Sequence, residues 1–295
     1  MVNLMRFKIW YFVFSLLIIL PGLYYLLTSG LRLGIDFTGG VLLEYKFEKN
    51  ININELKQTF IQDGVEVGQI SSAGSNIYII RTKPLEQDKI NKIKTDLNNN
   101  FGKVEERRVE NVGPVIGKEL SQKALIAIFL ASLMIVLYIA YSFRRIPKPA
   151  SSWRFGIAAV VALIHDVLVV VGAFAILGKF INVEVDTLFI TALLTIIGFS
   201  VHDTIVVFDR IRENLLKNIG KKFIDVANLS VIQTLGRSLN TTLTVVFVLI
   251  ALLLFGGETI KWFVVALLAG IISGTYSSIF NATALLVWWE EKLGH

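Results

Sequence analysis

Ionisable side chains set inside long apolar runs are the residues of this sequence best placed to do chemistry. His165 and Asp166 fall near the middle of an apolar run over residues 155–177. His202 and Asp203 fall near one end of a second run, 187–208, and Arg237 stands just before a third, 239–255. A charge at mid-bilayer costs at least about 2.5–3.5 kcal/mol, so such groups usually face a bundle interior and work there. At about 1.5 Å per residue, Asp203 lies roughly 7–8 Å in from the boundary near Phe208, and Asp166 roughly 16 Å from Phe155. Arg237 begins its span at the same boundary as Asp203, so its long side chain can reach inward and a pairing of Asp203 with Arg237 is expected. Asp166 then lies one or two turns deeper, and the three residues form a staggered proton path if their helices are neighbours. Burial favours the neutral form of a carboxyl and a nearby guanidinium favours the charged form. A group balanced between the two can load and release a proton.

The same residues have plainer readings. Asp203 with Arg237 also fits a fixed ion pair that orients helices, and Arg237 also fits a topology charge at the interface. His165-Asp166 also fits the polar bonding that commonly joins membrane helices. His202 points to a different helix face from Asp203 and is given no proton role. Asp209, Arg210, Arg212 and Glu213 are expected in water. Asn240, Thr241, Thr242 and Thr244 follow Arg237 and can either line a polar path or make ordinary interhelical bonds. Gly270, Ser273, Gly274, Ser277 and Ser278 form a small-residue stripe of the kind that lets helices approach closely.

Other chemistries find no residues. There is no P-loop, no HExxH and no GxSxG, so nucleotide hydrolysis and the common hydrolase sites are not expected, and the chain is read as no enzyme. Cysteine is absent, which excludes disulfides and thiolate sites, and His165, His202 and His295 are too scattered to propose a metal centre. No cofactor is expected. Gly39-Gly40 lies in an extended segment and is not read as a phosphate cradle.

The elements that must hold these groups are membrane helices. The chain has 295 residues, 54% hydrophobic and only 18% charged, with the apolar excess gathered into long runs. A bilayer core about 30 Å thick needs roughly 20 mostly apolar residues per helix. Runs over 9–28, 124–141, 155–177, 187–208, 239–255 and 262–289 meet that need and predict a polytopic α-helical membrane protein with six transmembrane helices. The first run, behind Arg6 and Lys8, has small residues at Thr28, Ser29 and Gly30 like a cleavable signal peptide. It is long enough to span, and orientation is the same either way.

The net charge of +6 does not read as a nucleic-acid footprint, because the basic residues sit in short loops between spans. Arg144, Arg145, Lys148 and Arg154 lie between the second and third spans; Arg210, Arg212, Lys217, Lys221, Lys222 and Arg237 lie between the fourth and fifth. The other short loops hold Lys179 and Lys261. Lys and Arg mark cytoplasmic loops, so both termini are expected in the cytoplasm of a multi-pass inner-membrane protein. The expected divisions are 1–28 (N-terminus and first helix), 29–121 (an extracytoplasmic domain), 122–290 (five helices) and 291–295 (a cytoplasmic tail).

The segment 29–121 carries thirteen Lys/Arg against thirteen Asp/Glu. Residues 41–47 read as a strand and 54–62 as a helix with Leu56, Phe60 and Ile61 on one face. Strands at 67–71 and 77–81 flank a turn at Gly74-Ser75-Asn76. Pro84 opens a second helix carrying Ile90, Ile93 and Leu97, capped by Gly102, before a last strand at 104–109. The order β-α-β-β-α-β predicts an α+β, ferredoxin-like domain between helices 1 and 2.

Five segments, in order, resemble the SecF family. They are Gly34-Ile35-Asp36-Phe37-Thr38-Gly39-Gly40 after the first span, Ala162-Leu163-Ile164-His165-Asp166-Val167 in the third, residues 198–214 in the fourth and its loop, residues 234–242, and Phe255-Gly256-Gly257. The resemblance implies kinship with the resistance-nodulation-division transporters, in which two six-span halves form a pseudo-symmetric bundle. It implies SecD as the other half, and a role in drawing unfolded precursor proteins from the SecYEG channel by the proton-motive force. YajC and YidC are further implied partners. Asp203 and Arg237 match positions used in the family's proton pathway, while Asp36, Gly39, Gly40 and His165 belong to its signatures and suit structural roles. The rival readings are a proton-coupled small-molecule efflux half-transporter and a purely structural translocon scaffold.

Overall fold

The computed structural model describes residues 3–74, 76–144, 146 and 150–293. Of the segments read from sequence, Ser75 of the expected turn, Arg145, Pro147 and Lys148 of the basic loop, and His295 lie outside the described residues. Among those described, six helices are long and apolar enough to cross a membrane: Leu4–Ser29, Pro114–Ser142, Ser152–Ile181, Thr187–Lys217, Phe223–Phe255 and Thr259–Lys292. The chain forms two compact units, one from the chain up to Arg32 together with Ile126 onwards, the other Leu33–Leu125.

In the first unit, α1 (Lys8–Ser29) follows a 3-10 turn at Leu4–Phe7. That turn is docked: Leu4 N and Met5 N donate to Asn228 Oδ1 at 2.8 and 3.4 Å, and the Met5 side chain is fully buried. The remaining helices are α5 (Pro114–Ser142), α6 (Ser152–Ile181), α7 (Thr187–Lys217), α8 (Phe223–Phe255), α9 (Glu258–Tyr276) and α10 (Thr283–Lys292). A π-helical turn, Ser277–Ala282, joins α9 to α10, so the last span is one continuous rod with a wide turn in it. Pi turns are rare and are found mostly as single turns inside α-helices, often at functional sites.

The core of this unit lies among α6, α7, the first half of α8 and the last span. Phe143, Phe155 and Phe208 meet as a three-ring cluster with centroids 4.9–5.8 Å apart. Glycine permits a close crossing. Gly22 of α1 faces Gly172 of α6 so closely that a Cβ on Gly22 would stand 2.7 Å from the Gly172 Cα. By contrast α5 and the outer part of α8 present apolar side chains outward, among them Phe129, Met134, Phe247 and Leu254.

The second unit holds β1 (Gly40–Phe47), α3 (Ile53–Gln62), β2 (Val67–Ser72), β3 (Ile77–Thr82), α4 (Gln87–Phe101) and β4 (Val104–Val112). The strands form one sheet of order β2-β3-β1-β4, every neighbouring pair antiparallel. Leu43 stands between Ile80 of β3 and Val109 of β4. Leu56 and Phe60 of α3 and Ile90, Ile93 and Leu97 of α4 close over Val41, Leu43, Tyr45 and Phe47 to make the core. The Tyr45 hydroxyl is buried there without a hydrogen-bond partner among the described residues, and burial, with the charge of Glu106 adding, pushes its phenol well above the usual range.

Before the two glycines, Ile35–Thr38 forms a single helical turn, α2. Gly39 (φ 73°) and Gly40 (φ 144°) then break it and start β1. Both positions favour glycine, since an added Cβ would stand 2.9 Å from Pro114 Cα at Gly39 and 2.6 Å from Thr82 O at Gly40.

Candidate functional site: the buried carboxylates

Asp166 is wholly buried on α6 and every hydrogen bond it accepts comes from a side chain. Oδ2 accepts from Ser200 Oγ of α7 at 2.5 Å and from Ser277 Oγ, the first residue of the π turn, at 2.7 Å. Oδ1 accepts from Ser273 Oγ of α9 at 2.9 Å and lies 2.9 Å from His165 Nδ1. A carboxylate offers about four lone-pair sites. With Nδ1–H as the imidazole tautomer, all of them are filled. Three spans therefore converge on one carboxyl group, and glycine permits it: a Cβ on Gly274 would press to 3.1 Å from Ser200 Cβ and 3.5 Å from Asp166 Oδ2. Ser278 Oγ adds a bond to Ser200 O at 2.9 Å and meets Thr204 Oγ1 at 2.8 Å.

Asp203 sits one turn along α7 from Ser200, 2% exposed, in a separate network. It accepts from Thr275 Oγ1 at 3.2 Å, and Thr275 in turn meets Thr242 Oγ1 of α8 at 2.6 Å. Ser273 and Thr275 lie two residues apart on α9, so that helix touches both carboxylates. Among the described residues no ion pair joins Asp203 to Arg237, and the expected pairing is not formed. The reason is helical phase: α8 turns Thr234, Ser238 and Thr242 inward at four-residue steps, which leaves Arg237 exposed on another face. His202 is exposed, on a different face from Asp203. Of the hydroxyl residues after Arg237, Thr242 joins the Asp203 network, while Thr241 and Thr244 bond their own helix at Arg237 O and Thr241 O.

The residues not singled out for Asp166 are Ser200, Ser273 and Ser277. For Ser273 and Ser277 the signal was present as hydroxyl side chains four apart on the last span, within a stripe that also fits plain packing; Ser200 lies on α7. Asp36 lies in α2, and Gly39 and Gly40 shape the entry to β1. Among the described residues, no group of three or more His, Cys, Asp or Glu could hold a metal ion.

Family comparison places this arrangement. A family model described as "Protein export membrane protein SecD/SecF, C-terminal" matches residues 92–292, and a "SecD/SecF GG Motif" model matches residues 24–51. The chain belongs to the SecD/SecF family. Within that family it is 49% identical over 304 residues to the protein translocase subunit SecF of Thermobaculum terrenum, covering 99% of this chain and 95% of the relative. The protein translocase subunit SecF of Anaerolinea thermophila is 42% identical over 295 residues, again with 99% and 95% covered. Among solved structures, SecDF of Thermus thermophilus, titled a translocon-associated membrane protein, superposes with a TM-score of 0.87 at 31% identity. That match covers 98% of this chain but 39% of the SecDF chain, so the present chain corresponds to about two-fifths of that longer protein. The double-glycine motif that defines one family model includes Gly39 and Gly40, whose backbone angles explain the residue type.

Proposed function

We propose that this chain is the SecF-type half of a protein-export accessory that uses the proton-motive force to help draw unfolded precursors from the SecYEG channel. The observation that carries the proton role is the buried pair of carboxylates, Asp166 under four side-chain donors and Asp203 beside it on α7, both reached from α9. Ionisable groups so placed in membrane helices serve ion paths and relays. Family membership supplies the export context.

The reading extends to the rest of the molecule. Basic loops support cytoplasmic termini and an extracytoplasmic Leu33–Leu125 unit. The strand order β2-β3-β1-β4 in a βαββαβ chain supports a ferredoxin-like fold for that unit. The apolar outward faces of α5 and α8 suit a second six-span half, SecD, and Arg237 lies on an outward face of α8 where such a partner can meet it. Arg237 then serves the proton path from the SecD side instead of as a fixed partner of Asp203. YajC and YidC are further candidate neighbours. No cofactor and no catalytic step are assigned.

The test is pulse-labelling of precursor processing in cells depleted of this protein and complemented with wild type or Asp203→Asn. Slow export on depletion, with no rescue by the variant at normal abundance, supports the reading. Full rescue by the variant removes Asp203 from the mechanism. Export untouched by depletion sinks the export role and moves small-molecule efflux forward.

A further inference from the structure

The four donors on Asp166 are not equivalent. Ser200 Oγ and Ser273 Oγ have no other acceptor among the hydrogen bonds of the described residues, so each hydroxyl is committed to the carboxylate. Ser277 Oγ has a second acceptor in reach, the Gly274 carbonyl at 3.2 Å, besides Asp166 Oδ2 at 2.7 Å. A hydroxyl carries one hydrogen and rotates freely to suit its surroundings. An arriving proton finds no free lone pair on Asp166 and must displace a donor. Ser277 is the donor with somewhere else to go.

We infer that Ser277 is a hydroxyl switch that passes the protonation state of Asp166 into the π turn and so to α1. With the carboxyl ionised, Ser277 donates to Oδ2. When a proton from the aqueous phase binds Oδ2, Ser277 turns its hydrogen to Gly274 O, and the new carboxyl O–H donates to Ser277 Oγ. The bond between Asp166 and Ser277 is kept with its direction reversed, and the added proton lets Ser277 gain the bond to Gly274 O. The titratable groups facing Asp166 are few. His165 lies on its own helix, with Tyr276 beyond it at 6.3 Å between ring centroids. The α7, α9 and π-turn residues that bond it are hydroxyls, and Asp203 is bonded elsewhere.

The residues around the switch are tied to α1. Tyr276 Oη, just before Ser277, donates to Tyr11 O at 2.9 Å. Asn281 Nδ2, four residues past Ser277, donates to Ser15 Oγ at 2.7 Å. Between them Phe280 packs on Tyr11 with centroids 4.8 Å apart. A π turn carries one residue more than an α turn, and the Ser277 bond is one of the tethers fixing it. Helix α1 ends at Ser29, and after three residues the chain enters the Leu33–Leu125 unit.

This inference rests on Asp166 being a proton site, and two readouts separate the two ideas. The full chain, reconstituted with its SecD-type partner in lipid vesicles, carries a polarity-sensitive fluorophore on Leu27→Cys; the chain has no cysteine of its own and Leu27 is 78% exposed on α1. Difference infrared spectroscopy on acidification follows the protonated carboxyl band. The expected result is a fluorophore shift in the parent together with a band component that disappears in Asp166→Asn, where the fluorophore shift is lost as well. Ser277→Ala keeps that component and loses the fluorophore shift; Ser273→Ala keeps both. A band unchanged in Asp166→Asn overturns the proton site and the switch with it. A band specific to Asp166, with a fluorophore shift that persists in Ser277→Ala or also disappears in Ser273→Ala, overturns the switch alone.

Discussion

Replacing Gly172 by alanine tests a backbone-to-backbone joint in the membrane unit, the crossing of α1 over the helix that carries Asp166. An added Cβ would stand 2.8 Å from Gly22 Cα and 3.2 Å from Gly22 C, both backbone atoms. Carbon atoms rest at about 3.5–4.0 Å, so the helices must separate by about 1 Å at this point. A gap of that size forfeits roughly a quarter to a half of each neighbouring van der Waals contact. Overpacking of this kind costs about 1–3 kcal/mol, and close approach of small residues is a main source of helix association in lipid. Gly156 of the same helix supplies the control, because a Cβ there meets nothing within 4 Å. Alanine is intrinsically better than glycine in a helix by about 1 kcal/mol. Thermal unfolding of the purified full chain is therefore expected to fall in Gly172→Ala and to hold or rise in Gly156→Ala. Equal stability of the two variants would refute the backbone contact.

Three further outcomes are expected. Gly40→Ala, forced to φ 144° against Thr82 O, destabilises the Leu33–Leu125 unit by about 2 kcal/mol or more, while Gly113→Ala, with open space around it, leaves resistance to limited proteolysis unchanged. Arg154→Met removes the guanidinium held 2.5 Å from the fully buried Glu290 and costs about 3–5 kcal/mol in thermal unfolding, whereas the double change with Glu290→Met recovers most of it. Tyr45 keeps its proton when folded but ionises near pH 10 when unfolded, so folded stability is lost as pH rises above about 10. Tyr45→Phe lessens that alkaline loss and, by removing an unpartnered buried hydroxyl, raises stability at neutral pH by about 1 kcal/mol, both measured by denaturant unfolding.

What was legible in the sequence was what depends on length and period. Six apolar runs and the strand and helix order of the polar segment follow from counting residues. Helix ends were less legible: α8 begins at Phe223, not near residue 239, because its first four turns are an amphipathic extension whose Phe223, Val226, Ala227 and Val231 join the core. The turn at Leu4–Phe7 has a local cap in Asn3, but its docking uses Asn228, more than two hundred residues away, which no local pattern marks.

The pairing of Asp203 with Arg237 misled for the same kind of reason. Counting residues sets Asp203 and Arg237 near one boundary, but pairing also requires the rotation of α8, and the inward set Thr234, Ser238, Thr242 excludes Arg237. Ser273 and Ser277 were visible as small residues spaced for packing. Only the fold shows that the packing they permit is what brings their hydroxyls to Asp166.

Proton uptake is the most direct test of the central claim. The full chain with its SecD-type partner, sealed in vesicles holding a pH-sensitive dye, is given an imposed pH gradient. The account predicts that the dye reports proton entry with the wild-type chain, and that entry is lost in Asp166→Asn and in Asp203→Asn at equal protein content. Entry at the wild-type rate in both variants would contradict it.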